Sequence, residues 1–323
     1  MRYVAWDELG GMPNVIVDGY PAEGTVLTLS HWRGSGSPDE LADDLSTQIA
    51  FRYLDRPDLA VEVEAVSNNH FDEDGLCGIF AVLSPGEALA RRDMLIDVAS
   101  TGDFDVYRSR DAARVRFALG AYADEERSPL GEAFFARPYP RVSAGLYEEL
   151  LPRVAEMVDR PERSRALWEA EDAWLARDEE RLSTGAITIE ERPQIDLAVV
   201  TLPDDAPDEG GESLLGCHPA AVHPATLMNR VLVVRGNRYL VRYRYETWVR
   251  YVSRPTMPRI DLTALAEQLS AREPGSARWV FEGVENITPS LRLDGAEESA
   301  IAPEEFVATV EAFLTRLGDR GGG

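Results

Sequence analysis

Two Ser-Pro-x-Glu tetrads, at residues 37–40 and 84–87, punctuate the N-terminal third of the chain and constrain its fold more than any other feature. Each offers a helix start: Ser as N-cap, Pro at the first helical position where its missing N–H costs nothing, and Glu three residues after the cap. Ahead of the first tetrad, TVLTLS (residues 25–30) is β-branched and apolar and predicts a strand. After it, Leu41, Leu45, Ile49 and Tyr53 recur at helical spacing. LAVEVEAV (59–66) then alternates as a second strand, with Val61, Val63 and Ala65 on one face and Glu62 and Glu64 wetting the other. A short helix in LCGIFAVL follows, and the second tetrad starts a helix running to about Ser100, with Gly102 as its stop. This order predicts an α/β fold, an open twisted sheet with flanking helices, whose ligands gather at the carboxyl ends of the strands.

A chain of 323 residues suggests about two domains. Residues 1–142 form the expected α/β domain, residues 143–189 a charged helical connector divided near Arg160-Pro161, and residues 190–318 a smaller α+β domain. In the last, ITIEER, IDLAVVTL and ARWVFEGV predict strands, residues 229–253 two strands around Arg235-Gly236-Asn237, and DLTALAEQLSARE and PEEFVATVEAFLTRL helices. DDAPDEGGES (204–213) predicts a mobile loop and residues 319–323 a disordered tail.

Charge and cysteine usage exclude several classes. All 33 basic residues are Arg, so Schiff-base and P-loop lysine chemistry is absent, and no G-x-S-x-G or G-x-G-x-x-G occurs. A net charge of -24 argues against binding duplex nucleic acid but leaves a small anionic substrate open. No 18-residue apolar run predicts a membrane span, and the N-terminal stretch lacks the pattern of a signal peptide, so a cytoplasmic protein is expected. Cys77 and Cys217 fit no disulfide framework or CxxC site and predict buried thiols. Oligomeric state is not legible.

The stretch SNNHFDEDGLCGIF (67–80) sets His70, Asp72 and Asp74 at alternate positions before Gly75. In an extended segment alternate side chains share a face, so the three predict a common metal site. Imidazole with carboxylates suits Mn²⁺ best, with Mg²⁺ or Fe²⁺ as alternatives, more than it suits thiolate-rich structural zinc.

H-F-D-E-D-G-L resembles motif I of the DHH phosphoesterase superfamily, whose members carry an H-x-D-x-D-G or D-x-D-x-D-G turn after the first strand. The resemblance implies a two-metal centre ligated by His70, Asp72 and Asp74, and a phosphoesterase-like hydrolase acting through metal-activated water on a small phosphorylated or short nucleotide substrate. The family's DHH triplet is missing; Ser30-His31-Trp32, trailed by DDLSTQIAFRYL, is similar to its surroundings but precedes motif I. His31 is thus a second candidate, catalytic together with Asp72 and Asp74. The family's lone Asp falls on Asp103 in preference to Asp97. YVSRPTMPRIDLTALAEQL is similar to the family's substrate-binding domain, which implies Arg254 and Arg259 as substrate-binding groups, and the usual Gly-Gly-Gly-His segment is replaced by WVFEGVENITPS; Arg33, beside His31, is a further substrate-binding candidate. A degenerate, noncatalytic member that binds an anionic ligand or protein partner is the alternative.

Other candidates have plain structural readings. His218 and His223, each before a proline, fit helix starts or core packing better than ligation. Arg242, Arg244 and Glu246 alternate and fit a half-exposed sheet face or a phosphate-binding strip. GSGSP (34–38) is a weak anion loop, and Trp168, Asp172 and Leu175 fit helix packing with solvated charge.

Overall fold

In the computed structural model, residues 1–205 and 213–318 are described; most of the acidic loop expected at 204–213 and the tail expected at 319–323 lie outside them. The chain folds as an α/β protein of two units. One comprises Met1–Ala173 with Val249–Pro255, the other Trp174–Trp248 with the chain from Thr256 onward. The expected helical connector is therefore divided between them, and Val249–Pro255, assigned from sequence to the C-terminal domain, belongs to the first unit.

The first unit runs β1 (Arg2–Tyr3), β2 (Asn14–Val17), β3 (Thr25–Leu29), α1 (Ser46–Leu54), β4 (Ala65–Ser67), α2 (Glu73–Leu83), α3 (Pro85–Leu89), α4 (Arg92–Phe104) and α5 (Arg110–Ala123). Helices α6 (Glu132–Phe135), α7 (Tyr139–Leu150) and α8 (Val154–Asp159) follow, and then α9 (Arg165–Ser183), which the unit boundary divides after Ala173. The four strands are parallel in the order β1-β4-β2-β3, so all their carboxyl ends lie along one edge. Val15, Ile16, Val17, Ala65 and Val66 are wholly buried, as expected of a parallel sheet covered on both faces.

That burial explains one departure from the sequence reading. Strand β4 spans only three residues, and the alternating Val61–Glu64 stretch lies outside it, because Glu62 and Glu64 would have to enter a buried interior strand. A strand at Asn14–Val17 was not anticipated at all.

The tetrads also act differently from expectation. The Ser37 hydroxyl is used by the Ser30 backbone, accepting its N–H and donating to its carbonyl, both at 2.7 Å. Only a 3-10 turn, Asp39–Leu41, follows, and α1 starts later, at Ser46. The second tetrad opens the five-residue α3. Gly102 lies inside α4: a Cβ there would stand 2.8 Å from Glu73 Oε2, so the glycine permits α2 and α4 to pack closely. The helix ends instead at Asp105, in the left-handed region with φ 54°.

The second unit holds β5 (Thr188–Arg192), β6 (Leu197–Leu202), β7 (Arg230–Arg235), β8 (Arg238–Tyr243), β9 (Arg278–Phe281) and β10 (Ser290–Asp294), with α10 (Pro219–Val222), α11 (Thr263–Ser270) and α12 (Pro303–Gly318). Its mixed sheet has the order β5-β6-β7-β8-β10-β9. Period-two alternation sends Leu197, Val199, Leu232, Val234, Tyr239 and Val241 into one core and Val200, Leu202, Val231, Val233 and Leu240 into another. Both faces are thus covered. The β8 strand ends at Tyr243, earlier than the alternation to residue 253 suggests.

Candidate metal centre

The candidate site sits at the shared carboxyl edge of the parallel sheet. Strand β2 ends at Val17, and Asp18 turns the chain with φ 55°, a conformation Asp tolerates better than most residues. Strand β3 delivers His31 two residues past its end, and the imidazole is fully buried. Its Nδ1 lies 2.5 Å from the Asp44 carbonyl, which fixes the ring so that Nε2 faces Asp18 Oδ1 at 3.4 Å, Asp103 Oδ2 at 3.5 Å and Asp74 Oδ2 at 3.8 Å.

Beyond β4, the Asn68 side chain builds the next turn: its Oδ1 accepts the Asn69 N–H at 2.7 Å and its Nδ2 donates to the Tyr147 hydroxyl at 3.1 Å. His70 Nε2 then stands 2.8 Å from Asp72 Oδ2 and 3.2 Å from Asp18 Oδ2. Asp72 is the N-cap of α2, its Oδ1 accepting the Gly75 N–H at 2.8 Å. Gly75 is required by close approach, since a Cβ would lie 2.5 Å from the Tyr147 hydroxyl and against the Asn68 amide.

Two ligand groups result, Asp18 with His70 and Asp72, and Asp18 with His31 and Asp74; within each, the ligating atoms lie within 4.8 Å of one another. Asp18 belongs to both. The common extended face expected for His70, Asp72 and Asp74 is not what joins them, because Asp74 lies in the first turn of α2. Its oxygens accept the Ser46 and Thr47 N–H groups, each at 2.7 Å, and so cap α1. The Ser46 hydroxyl donates to Asp18 Oδ1 at 2.7 Å. The N-termini of α1 and α2 therefore both present their positive ends to the acids.

Buried charge is concentrated in this cluster. The Oδ2 atoms of Asp18 and Asp103 are buried at contact distance from imidazoles, but without hydrogen-bond geometry. Burial, followed by the charges of Asp74, Asp72 and Asp18, pushes Asp103 well above the usual carboxylate range. Burial and Asp18 push Asp74 up to about 7. Burial would raise Asp18 too, but the His31 and His70 contacts outweigh it and hold that carboxyl low. Burial disfavours a charged His70, yet Asp72 and Asp18 carry it up to about 11; His31 is raised by Asp18 and Asp74 against its burial. Both imidazoles are thus shifted toward their protonated form beside the carboxylates. The donor set fits Mn²⁺ or another oxygen- and imidazole-preferring divalent ion, because the orphaned buried oxygens and two imidazoles have no apolar or thiolate competitor among them.

The other candidates separate. Asp103 joins the cluster from inside α4, not from a free segment after a helix stop. Asp97 instead accepts the Arg108 and Ser109 N–H groups at 2.8 and 2.7 Å. Arg33 is exposed, its Nε donating to the Val249 carbonyl at 2.9 Å. Arg254 covers the Tyr251 ring at 5.2 Å, and Tyr251 packs on Phe104, the neighbour of Asp103. Arg259 belongs to the second unit, where it donates to Thr247 Oγ1 and to the carbonyls of Val284, Asn286 and Ile287. His218 caps α10, its Nδ1 accepting the Ala220 N–H at 3.1 Å, and His223 is buried. Arg244 and Glu246 form a buried pair at 2.6 Å, not an exposed strip. Cys77 and Cys217 are free and buried.

Sequence reasoning missed Asp18, the residue common to both groups. The signal was present as NVIVDG, a strand-length apolar run ended by Asp-Gly, but only the following run was read as a strand. Among the described residues no helix is long and apolar enough to cross a membrane. No curated protein and no solved structure matches the chain. A family model matches residues 1–318, and the chain belongs to that family, a family of unknown function (DUF6687).

Proposed function

We propose that the first unit is a metal-dependent phosphoesterase-like hydrolase acting on a small phosphorylated or short nucleotide substrate. The observation that carries this reading is the sharing of Asp18 between two His-and-carboxylate groups. The resemblance of H-F-D-E-D-G-L to the DHH phosphoesterase superfamily supports it. Divalent cations, Mn²⁺ best of all, would be held by Asp18, His31, His70, Asp72 and Asp74 with Asp103, and when bound would supply Lewis acidity and an acidified water. The chain's own groups do the rest. The Asp44 carbonyl holds the His31 tautomer, the Asn68 turn and the Asp72 cap place His70, and the N-termini of α1 and α2 offset negative charge. Arg254 and Arg33 are the guanidinium groups of this unit proposed to meet the substrate's anionic end.

A second reading, a noncatalytic member that binds an anionic ligand or protein partner, draws on the missing DHH triplet and Gly-Gly-Gly-His segment, and Arg259, expected to bind substrate, has donors used by carbonyls of its own unit. Hydrolysis of a phosphodiester and of pyrophosphate with Mn²⁺ separates the two. The hydrolase reading expects turnover by the wild type and its loss in Asp72→Ala and Asp18→Asn; undiminished turnover in both variants would sink it.

A further inference from the structure

Two aromatic rings form a wall beside the candidate centre that metal ligation does not require. Trp32, the residue after His31, stacks on the His70 ring at 5.1 Å with planes 29° apart. Tyr20, two residues after Asp18, meets Trp32 edge-on at 5.3 Å. Tyr20 is 42% exposed, yet its hydroxyl donates to the Arg33 carbonyl at 3.3 Å, which holds the ring in place. A continuous aromatic path thus leads from solvent to a candidate ligand.

We infer that Tyr20 and Trp32 are specificity-determining residues that receive a flat ring of the substrate, so that the substrate is a nucleobase-bearing or other aryl phosphoester instead of an inorganic phosphoanhydride. This rests on the hydrolase reading above. The chain's net charge of -24 repels anions at long range, so a phosphate ester gains from an attraction that is not coulombic. Stacking on a fixed ring provides it and tolerates any base, since every base has a π-face. Trp32 links the two contacts, stacked on His70 and T-shaped to Tyr20.

Calorimetric titration of the Mn²⁺-loaded full chain with a nucleoside 5′-monophosphate and, separately, with inorganic phosphate tests the wall. The wild type should prefer the nucleotide by about tenfold or more, the range expected for one stacked base. Tyr20→Ala should bring that ratio close to one, and Tyr20→Phe should keep it. An equal ratio in wild type and Tyr20→Ala, or no preference in the wild type, overturns the inference. A wild type that keeps the preference but hydrolyses neither a dinucleotide nor pyrophosphate supports the wall while defeating the hydrolase reading.

Discussion

The two units bury charge in opposite ways. In the second, each buried carboxylate among the described residues is engaged: Asp178 accepts the His218 N–H at 2.8 Å, Asp196 the Asn229 N–H at 2.8 Å, and Glu246 pairs with Arg244 at 2.6 Å. In the first, Asp18, Asp74 and Asp103 converge on one place, and two of their oxygens have no hydrogen bond. Protein interiors rarely leave such groups unmet, because an unpaired buried polar group costs about 1–3 kcal/mol. Charge in the second unit is thus architecture. In the first it gathers around two imidazoles in an arrangement that could hold a metal ion.

Truncating Glu246 breaks the comparison on its architectural side. Glu246→Ala leaves Arg244 buried and unpaired and should lower unfolding free energy by about 3–5 kcal/mol in denaturant titrations. The affinity of the first unit for Mn²⁺ should not change. A mild effect on stability would mean that the pair is better hydrated than its burial implies.

On the other side, Asp18→Asn should weaken Mn²⁺ binding by about 100-fold or more, beyond the upper end of what supporting groups contribute. Both ions should be affected, whereas His70→Asn should affect one group, because His70 belongs to only one. Since the imidazoles must give up protons to bind a cation, affinity should also rise with pH. Equilibrium dialysis at two pH values reads all three effects.

Asp103→Asn sharpens the contrast further. A carboxyl raised by burial holds its proton more tightly folded than unfolded, so it erodes stability as pH rises above the unfolded value. In EDTA at neutral pH the variant, uncharged in both states, should be more stable than the wild type by about 1–3 kcal/mol, read by thermal melts. With Mn²⁺ present the order should reverse.

The smallest effect belongs to Glu273 in the second unit. Burial opposes its charge, but the Ala300 N–H at 2.9 Å, Ser299 and the Trp279 Nε1–H at 3.0 Å outweigh that and hold the carboxyl low. Its contribution is present above the unfolded pKa and is lost as pH falls through the folded one. Glu273→Gln should therefore cost a few tenths to about 1 kcal/mol at neutral pH and flatten the acid limb of the stability profile.

What the sequence discloses follows the same division. Alternation is dependable where both strand faces meet apolar cover, so β6 and the β7–β8 hairpin around Gly236, with φ 52°, are legible. It misleads at Val61–Glu64, where the same pattern lies outside the sheet. Helix starts fail as signals when their serine is taken by a distant backbone, as Ser37 is by Ser30. For the site, the His70–Asp74 turn announces itself through local spacing, and Asp18 does not, because its meaning arises only when parallel strands bring four sequence-distant carboxyl ends to one edge. Local pattern carries local geometry; convergence is a property of topology.

The most direct test of the central claim is a titration of EDTA-stripped protein with Mn²⁺, following bound ion per chain. The account predicts saturation at two ions per chain, matching the two groups that share Asp18. Failure to bind any ion below millimolar concentration would contradict it.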